Sequence, residues 1–210
     1  MFYTEERKSI ISAALYMQRS GMICGTSGNV SVRVAEGVLI TPSSVPYEEL
    51  REEDICLVSL DGRLLRGDRK ASSETPLHLA VYNARPDVGA VVHAHSEYST
   101  VMASLCAVLP AVTVPGTESY PVRSVPFILP GSEALASAVA EALGSGCAVI
   151  MAHHGLVCAA GNLKKAMTAA EYVEENARIA YRLRMAGSKS AIPESQIAKL
   201  KEALSQGKAI

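Results

Sequence analysis

AVVHAHSE, residues 90–97, sets two histidines one residue apart at the close of a short apolar run. In a strand, residues i and i+2 point to the same face, so His93 and His95 project together. Two imidazoles on one face at a strand end are disposed to share a divalent cation. A pair of hydrogen-bonded core histidines would show the same spacing. A second stretch weighs against that reading, because MAHHGLV, residues 151–157, closes another apolar run with His153 and His154. Neighbours in an extended chain face opposite sides, so one of this pair is expected to ligate and the other to pack or donate an outer hydrogen bond. Four of the five histidines thus stand at the ends of two apolar segments, and neither segment explains them by packing. Three imidazoles with a vacant position describe a catalytic metal site better than a closed structural one.

The bulk properties narrow the setting. The chain has 210 residues, about half of them apolar, which suits one domain with a sizeable core. A net charge of −1 leaves no basic surplus for nucleic acid. No apolar run is long enough to cross a membrane, and MFYTEERKSI is charged and polar, unlike a signal peptide. Five scattered cysteines with no CxxC pair read as reduced thiols acting as small buried hydrophobes. These features together predict a soluble, cytoplasmic protein with no nucleic-acid or membrane partner.

Local patterns predict the elements. Thr4 is expected to cap a helix ending at Gly21. NVSVRV and GVLITP read as strands, and EEDICLVSLDGRLLRG as a hairpin about Asp61-Gly62. A helix with Pro76 in its first turn runs to about Pro86, and GAVVHAH is the next strand. SEYSTVMASLC is helical and AVTVPG short and extended. Ser132 caps a helix over EALASAVAEAL, CAVIMAHHG is a buried strand, and Asn162 opens a long helix to Gly187. The tail, about 188–210, is expected to be mobile, with room for one short helix. The order lacks strict βαβ alternation, which predicts a single α/β domain with a mixed sheet and helices on its faces.

Glu74, in ASSETP, stands at the mouth of the helix beginning near Pro76. A first-turn glutamate is favoured by the helix dipole alone, and a fourth metal ligand or a general base fits the same position. His78, one turn on, reads as structural. GTSGN (25–29), TPSS (41–44) and ASS (71–73) are loops of residues that offer N–H groups and hydroxyls to anions. Each is ordinary turn chemistry singly. Three of them beside a metal constellation point to a phosphorylated substrate. No Walker loop or GxGxxG is present, which disfavours a nucleotide.

GTSGNVSVR, LITPSSVPYEEL, SSETPLHLAVYNARPDVGAVVHAHSEYST and HHGL resemble the sugar-phosphate branch of the class II aldolase/epimerase family over residues 5 to 185. The resemblance implies a single three-layer α/β/α domain with a central, largely antiparallel sheet, assembled as a homotetramer with active sites at subunit interfaces. It implies that His93, His95 and His154 hold Zn2+ (Mn2+ or Co2+ as alternatives). Glu74 would be the acid/base that also ligates the metal in the empty site, and His153 a non-ligand. Thr26, Asn29, Ser43, Ser44, Ser72 and Ser73 fall where the family holds phosphate, Ser44 standing in place of a glycine. The implied reaction is metal-dependent retro-aldol cleavage of a ketose 1-phosphate at C3–C4, giving dihydroxyacetone phosphate and an aldehyde. The metal would take up the enediolate charge and Glu74 would move the proton.

Two departures lie at the aldehyde end. A tyrosine lent by the neighbouring subunit is replaced by Val114, and a tyrosine near the C-terminus has no counterpart in SQGKAI. Tyr120 offers a substitute. The pattern suggests a less hydroxylated aldehyde, as from a 5-deoxypentulose or methylthio-pentulose phosphate, beside the fuculose-phosphate type. Rival activities on the same metal site are a ribulose-phosphate 4-epimerase, a methylthioribulose-1-phosphate dehydratase and a phosphorylated keto-acid decarboxylase. The epimerase is disfavoured by Pro121, which stands where its further acid would fall. A non-catalytic adducin-like scaffold would have lost the histidines that this chain retains.

Overall fold

Apolar residues alternate along the strands, and the two sets bury against helices on opposite faces. The computed structural model describes residues 2–206. In chain order the elements are α1 (Thr4–Arg19), β1 (Asn29–Val34), β2 (Gly37–Ile40), β3 (Cys56–Val58), β4 (Leu64–Arg66), α2 (Thr75–Ala84), β5 (Ala90–Ala94) and α3 (Glu97–Ala103). There follow β6 (Val108–Leu109), α4 (Val114–Ser119), β7 (Val122–Val125), α5 (Glu133–Leu143), β8 (Ala148–Met151), β9 (Gly155–Ala160), α6 (Leu163–Met185) and α7 (Glu194–Ser205). The sheet order is β4-β3-β2-β1-β5-β9-β8-β7-β6. Every pairing is antiparallel except β7 with β8.

Val92 and Ala94 of β5 join Leu156 and Cys158 of β9 in a core completed by α1, α3 and α6. Val91 joins Val157 and Ala159 in a second core completed by α2 and α5. This is the three-layer α/β/α arrangement that the resemblance implied. Two register pairs then locate the site. Asn29 lies opposite His93 in β1–β5, and Ala94 opposite Leu156 in β5–β9. The beginning of β1, the end of β5 and the β8–β9 turn therefore share one end of the sheet. The Pro42–Ala71 bridge carries residues 42–44 and the start of α2 to the same end.

Several local expectations hold. Ser132 Oγ accepts the Leu135 N–H and Asn162 Oδ1 the Lys165 N–H, so both predicted caps form. The Asp61-Gly62 hairpin forms, with Gly62 at φ 87°, and the tail carries a helix, α7, which buries Ile197. Residues 207–210, where the tail and SQGKAI end, lie outside the described residues.

Others are corrected. Thr4 is the first residue of α1, and the cap position belongs to Tyr3, held in the left-handed region at φ 61°. AVTVPG is not extended beyond Thr113: Pro115 sits in the first turn of α4, where its missing N–H costs nothing, and Thr113 Oγ1 caps Gly116 N–H at 3.0 Å. The strand over CAVIMAHHG ends at Met151, because residues 152–154 form a tight turn with His153 at φ 60°. Strands β6, β7 and β9 were not anticipated. Cys56 and Cys158 are buried as expected, whereas Cys24 is exposed.

Gly155 fixes the approach of β9 to β5. A Cβ there would stand 2.1 Å from the Ala94 carbonyl oxygen, a clash with backbone that no rotamer relieves. Gly155→Ala is expected to destabilise the fold by roughly 3 kcal/mol or more, measured by urea denaturation. An unchanged midpoint would show that the two strands can part there.

Candidate metal centre and active site

Three imidazoles converge at the sheet end. His93, His95 and His154 offer ligand nitrogens that all lie within 4.8 Å of one another, and their ring centroids are 4.8–4.9 Å apart. His93 Nδ1 lies 2.9 Å from the Leu156 carbonyl oxygen and donates its proton there. That fixes the tautomer, leaving the Nε2 lone pair directed at His95 Nε2, 3.0 Å away. The register of β5 with β9 supplies that carbonyl. His154 comes from the β8–β9 turn, and its Nδ1 is buried without a hydrogen-bond partner. The left-handed His153 turns that chain corner, so His154 points inward while His153 stays exposed on the cavity rim. A turn, instead of strand alternation, thus sends the two side chains of the pair to different places.

The donor set fits a divalent cation. Ring nitrogens face one another across a short gap, and His154 Nδ1 is a buried polar atom left unpaired. Desolvation holds His93 well below the usual imidazole range, with His154 and His95 as neighbours adding to the effect. Burial lowers His95 as well, and brings His154 to about 4. All three rings are therefore neutral near pH 7, the form that ligates metal.

Glu74 sits at the cap position of α2, nearly buried, with Oε2 lacking any partner. Desolvation raises its pKa, opposed in part by the Gly131 backbone N–H. Its carboxylate lines the histidine cavity but lies outside the cluster of mutually close donors. This geometry suits proton transfer better than ligation. Gly131 escaped the sequence reading, and its only signal there was the Pro-Gly turn before α5.

The cavity has a volume of about 360 Å³ and is lined by Thr26, Asn29, Ser43, Ser44, Ser72, Ser73, Glu74, His95 and His154, with Pro130 and His153 at its edge. All six residues expected to hold phosphate thus meet His95 and His154 of the histidine cluster in one place. Among the described residues no lysine or arginine lines it, so an anion there would rely on N–H groups, hydroxyls and the α2 N-terminus. Ser44 takes φ 59°, a backbone geometry that glycine adopts without strain. Two residues of the aldehyde-end reading lie outside this chain's own cavity. Tyr120 donates to Glu194 on α7 at 2.7 Å and does not line this cavity. Val114 is exposed at the start of α4.

Fold and site together define a class: a three-layer domain whose cluster of three imidazoles opens onto a hydroxyl-lined cavity. Comparison with known proteins then gives the family. Residues 8–181 match the family described as Class II Aldolase and Adducin N-terminal domain, and the chain belongs to it. It is 38% identical over 203 residues (95% of each chain) to a 5-deoxy-D-ribulose 1-phosphate aldolase of Bacillus thuringiensis serovar kurstaki. It is 35% identical over 200 residues, 93% of this chain and 89% of the other, to a 5-methylthioribulose-1-phosphate/5-deoxyribulose-1-phosphate aldolase of Rhodospirillum rubrum. A solved L-fuculose 1-phosphate aldolase superposes with a TM-score of 0.93 at 30% identity, covering 98% of both chains. The chain is an enzyme of this aldolase type, a lyase.

The histidines also set the acid limit of stability. Buried His78 has its pKa lowered to about 3 by desolvation, and His93, His95 and His154 shift the same way. An unfolded chain takes up these protons near pH 6.5, whereas the folded chain refuses them until lower pH. The contribution of these buried rings to stability is therefore complete above about pH 6.5 and lost as the pH falls below it. In the presence of a chelator, the denaturation midpoint should be lower at pH 5.5 than at 7.5, and equal midpoints would contradict the buried neutral rings.

Proposed function

We propose that this protein is a divalent-metal-dependent aldolase that cleaves a ketose 1-phosphate between C3 and C4, giving dihydroxyacetone phosphate and an aldehyde. The observation that carries this is the meeting of three imidazoles, a carboxylate with one unpaired oxygen and a hydroxyl-lined cavity at one end of the sheet. His93, His95 and His154 would hold the cation, read as Zn2+ with Mn2+ or Co2+ as alternatives. Bound there, it would supply Lewis acidity toward the ketose carbonyl and the neighbouring hydroxyl.

The chain's own residues do the rest. Ser72, Ser73 and the first turn of α2 receive the phosphate from one side, and Thr26, Asn29, Ser43 and Ser44 from the other. This anchoring aligns the scissile bond with Glu74. Glu74 exchanges a proton at the carbon that becomes nucleophilic when the bond breaks. Its raised pKa narrows the mismatch with neutral pH that a solvated carboxylate would face.

A deoxy or methylthio aldehyde is the preferred leaving group. Val114 supplies no hydroxyl, and exposed Phe127 and Leu129 flank Pro130 at the rim. The relatives named for 5-deoxyribulose and 5-methylthioribulose 1-phosphates support the same choice. That apolar rim also suits cover by a neighbouring subunit in a cytoplasmic homotetramer.

The metal-loaded protein, given a panel of ketose 1-phosphates, should release dihydroxyacetone phosphate; epimerised or dehydrated products would sink the aldolase reading. Glu74→Gln is expected to lower turnover by roughly 10²–10⁴ while metal content by mass spectrometry stays near that of the parent. His93→Ala should lose both metal and turnover. A Glu74→Gln enzyme with the parent's rate would remove Glu74 from the mechanism.

A further inference from the structure

His78 is wholly buried and takes no part in the chemistry above. Its ring lies between α2 and β1, with Nδ1 2.6 Å from Ser31 Oγ and Nε2 against Asn29 Oδ1. Ser31 Oγ in turn lies 2.8 Å from Tyr82 Oη. The direction of this chain follows from its cavity end. Asn29 Oδ1 can only accept, so His78 Nε2 carries the proton. A neutral ring then presents a lone pair at Nδ1, so Ser31 donates to it and Tyr82 donates to Ser31. No described residue bonds Asn29 Nδ2, and Asn29 lines the cavity directly across from His93.

We propose that His78 is a positioning residue for anion binding: the one-way chain Tyr82–Ser31–His78 clamps the Asn29 carbonyl oxygen, so that Asn29 offers only N–H donors to the cavity. Without the clamp the amide can turn over and set a carbonyl oxygen against the anion. In a cavity lined by no lysine or arginine among the described residues, one reversed dipole matters more than it would beside a full charge. The proposal rests on the reading that this cavity takes the substrate phosphate.

Two measurements test it, and the first needs no variant. In the wild-type protein labelled with 15N-histidine, the His78 ring should show a protonated Nε2 and an unprotonated Nδ1; the opposite tautomer overturns the proposal. In the second, inorganic phosphate is titrated by calorimetry into the metal-loaded protein. His78→Leu and Asn29→Ala are each expected to weaken phosphate by about tenfold, the worth of one hydrogen bond to a charged group. The double variant should be no weaker than Asn29→Ala alone, because His78 acts through Asn29. His78→Gln keeps a donor and an acceptor and should bind within about threefold of wild type. Losses that multiply in the double variant, or a His78→Gln as weak as His78→Leu, overturn the proposal. Weakening by Asn29→Ala but not by His78→Leu does so while leaving the phosphate reading intact. Should phosphate fail to bind wild type, or bind Asn29→Ala equally well, the phosphate reading fails and takes the proposal with it.

Discussion

Three imidazoles held with their ring nitrogens against one another are an unfavourable arrangement, and the rest of the site exists to maintain it. Imidazoles left to themselves would rotate, take up protons or seek water. Here the Leu156 carbonyl pins the His93 ring, and burial denies the rings their charged form. The left-handed turn at His153 brings the third ring in from another strand pair. Each restraint is backbone geometry, so the cluster is only as exact as the β5–β9 register. The same logic reaches Glu74, whose unpaired oxygen is kept out of water by the helix start that carries it.

Much of this was legible in the sequence, for a physical reason. Caps such as Ser132 and Asn162 are local chemistry between a side chain and an N–H three residues on, so the residue order displays them. His93 and His95 declare themselves by strand period, and the Ser, Thr and Gly loops by composition. What escaped is settled by distant partners. AVTVPG reads as extended, but the Val112 and Thr113 N–H groups are taken by Asn176 Oδ1 from α6, which sets up the start of α4. Strands β6 and β7 are short and flanked by prolines, and only their neighbours in the sheet make them strands. A positive φ at a histidine leaves no mark in residue order, so the pair at 153 and 154 read as a strand end.

Between β1 and α2 the interior is unusually polar for a core. Asn29, Ser31 and Arg33 share one face of β1, and His78 and Tyr82 lie one turn apart on α2. Arg33 donates to the carbonyls of Val88 and Tyr82, fastening the end of α2 to the approach of β5. Every polar group in such a stripe needs a partner, and partners with fixed donor directions exclude alternative packings. The helix that carries Glu74 at its start is thereby fastened to the strand that carries Asn29.

That fastening has a consequence for chain length in the substrate. Asn29 and His93 sit opposite each other on adjacent strands, whose spacing is about 4.8 Å in any sheet. On the proposed function, a residue that receives the anion and a residue that holds the cation are thus mounted on a rigid gauge that side-chain motion cannot stretch. A molecule with an extra carbon between its two anchoring groups would overrun the gauge, whatever its affinity for either end. Beyond the histidines the boundary includes Pro130 of the loop at 126–131, which lies outside the β1–β5 pair that forms the gauge. On the proposed function, the far half of the substrate would meet this loop, where the exposed Phe127 and Leu129 can vary without altering the strand pair.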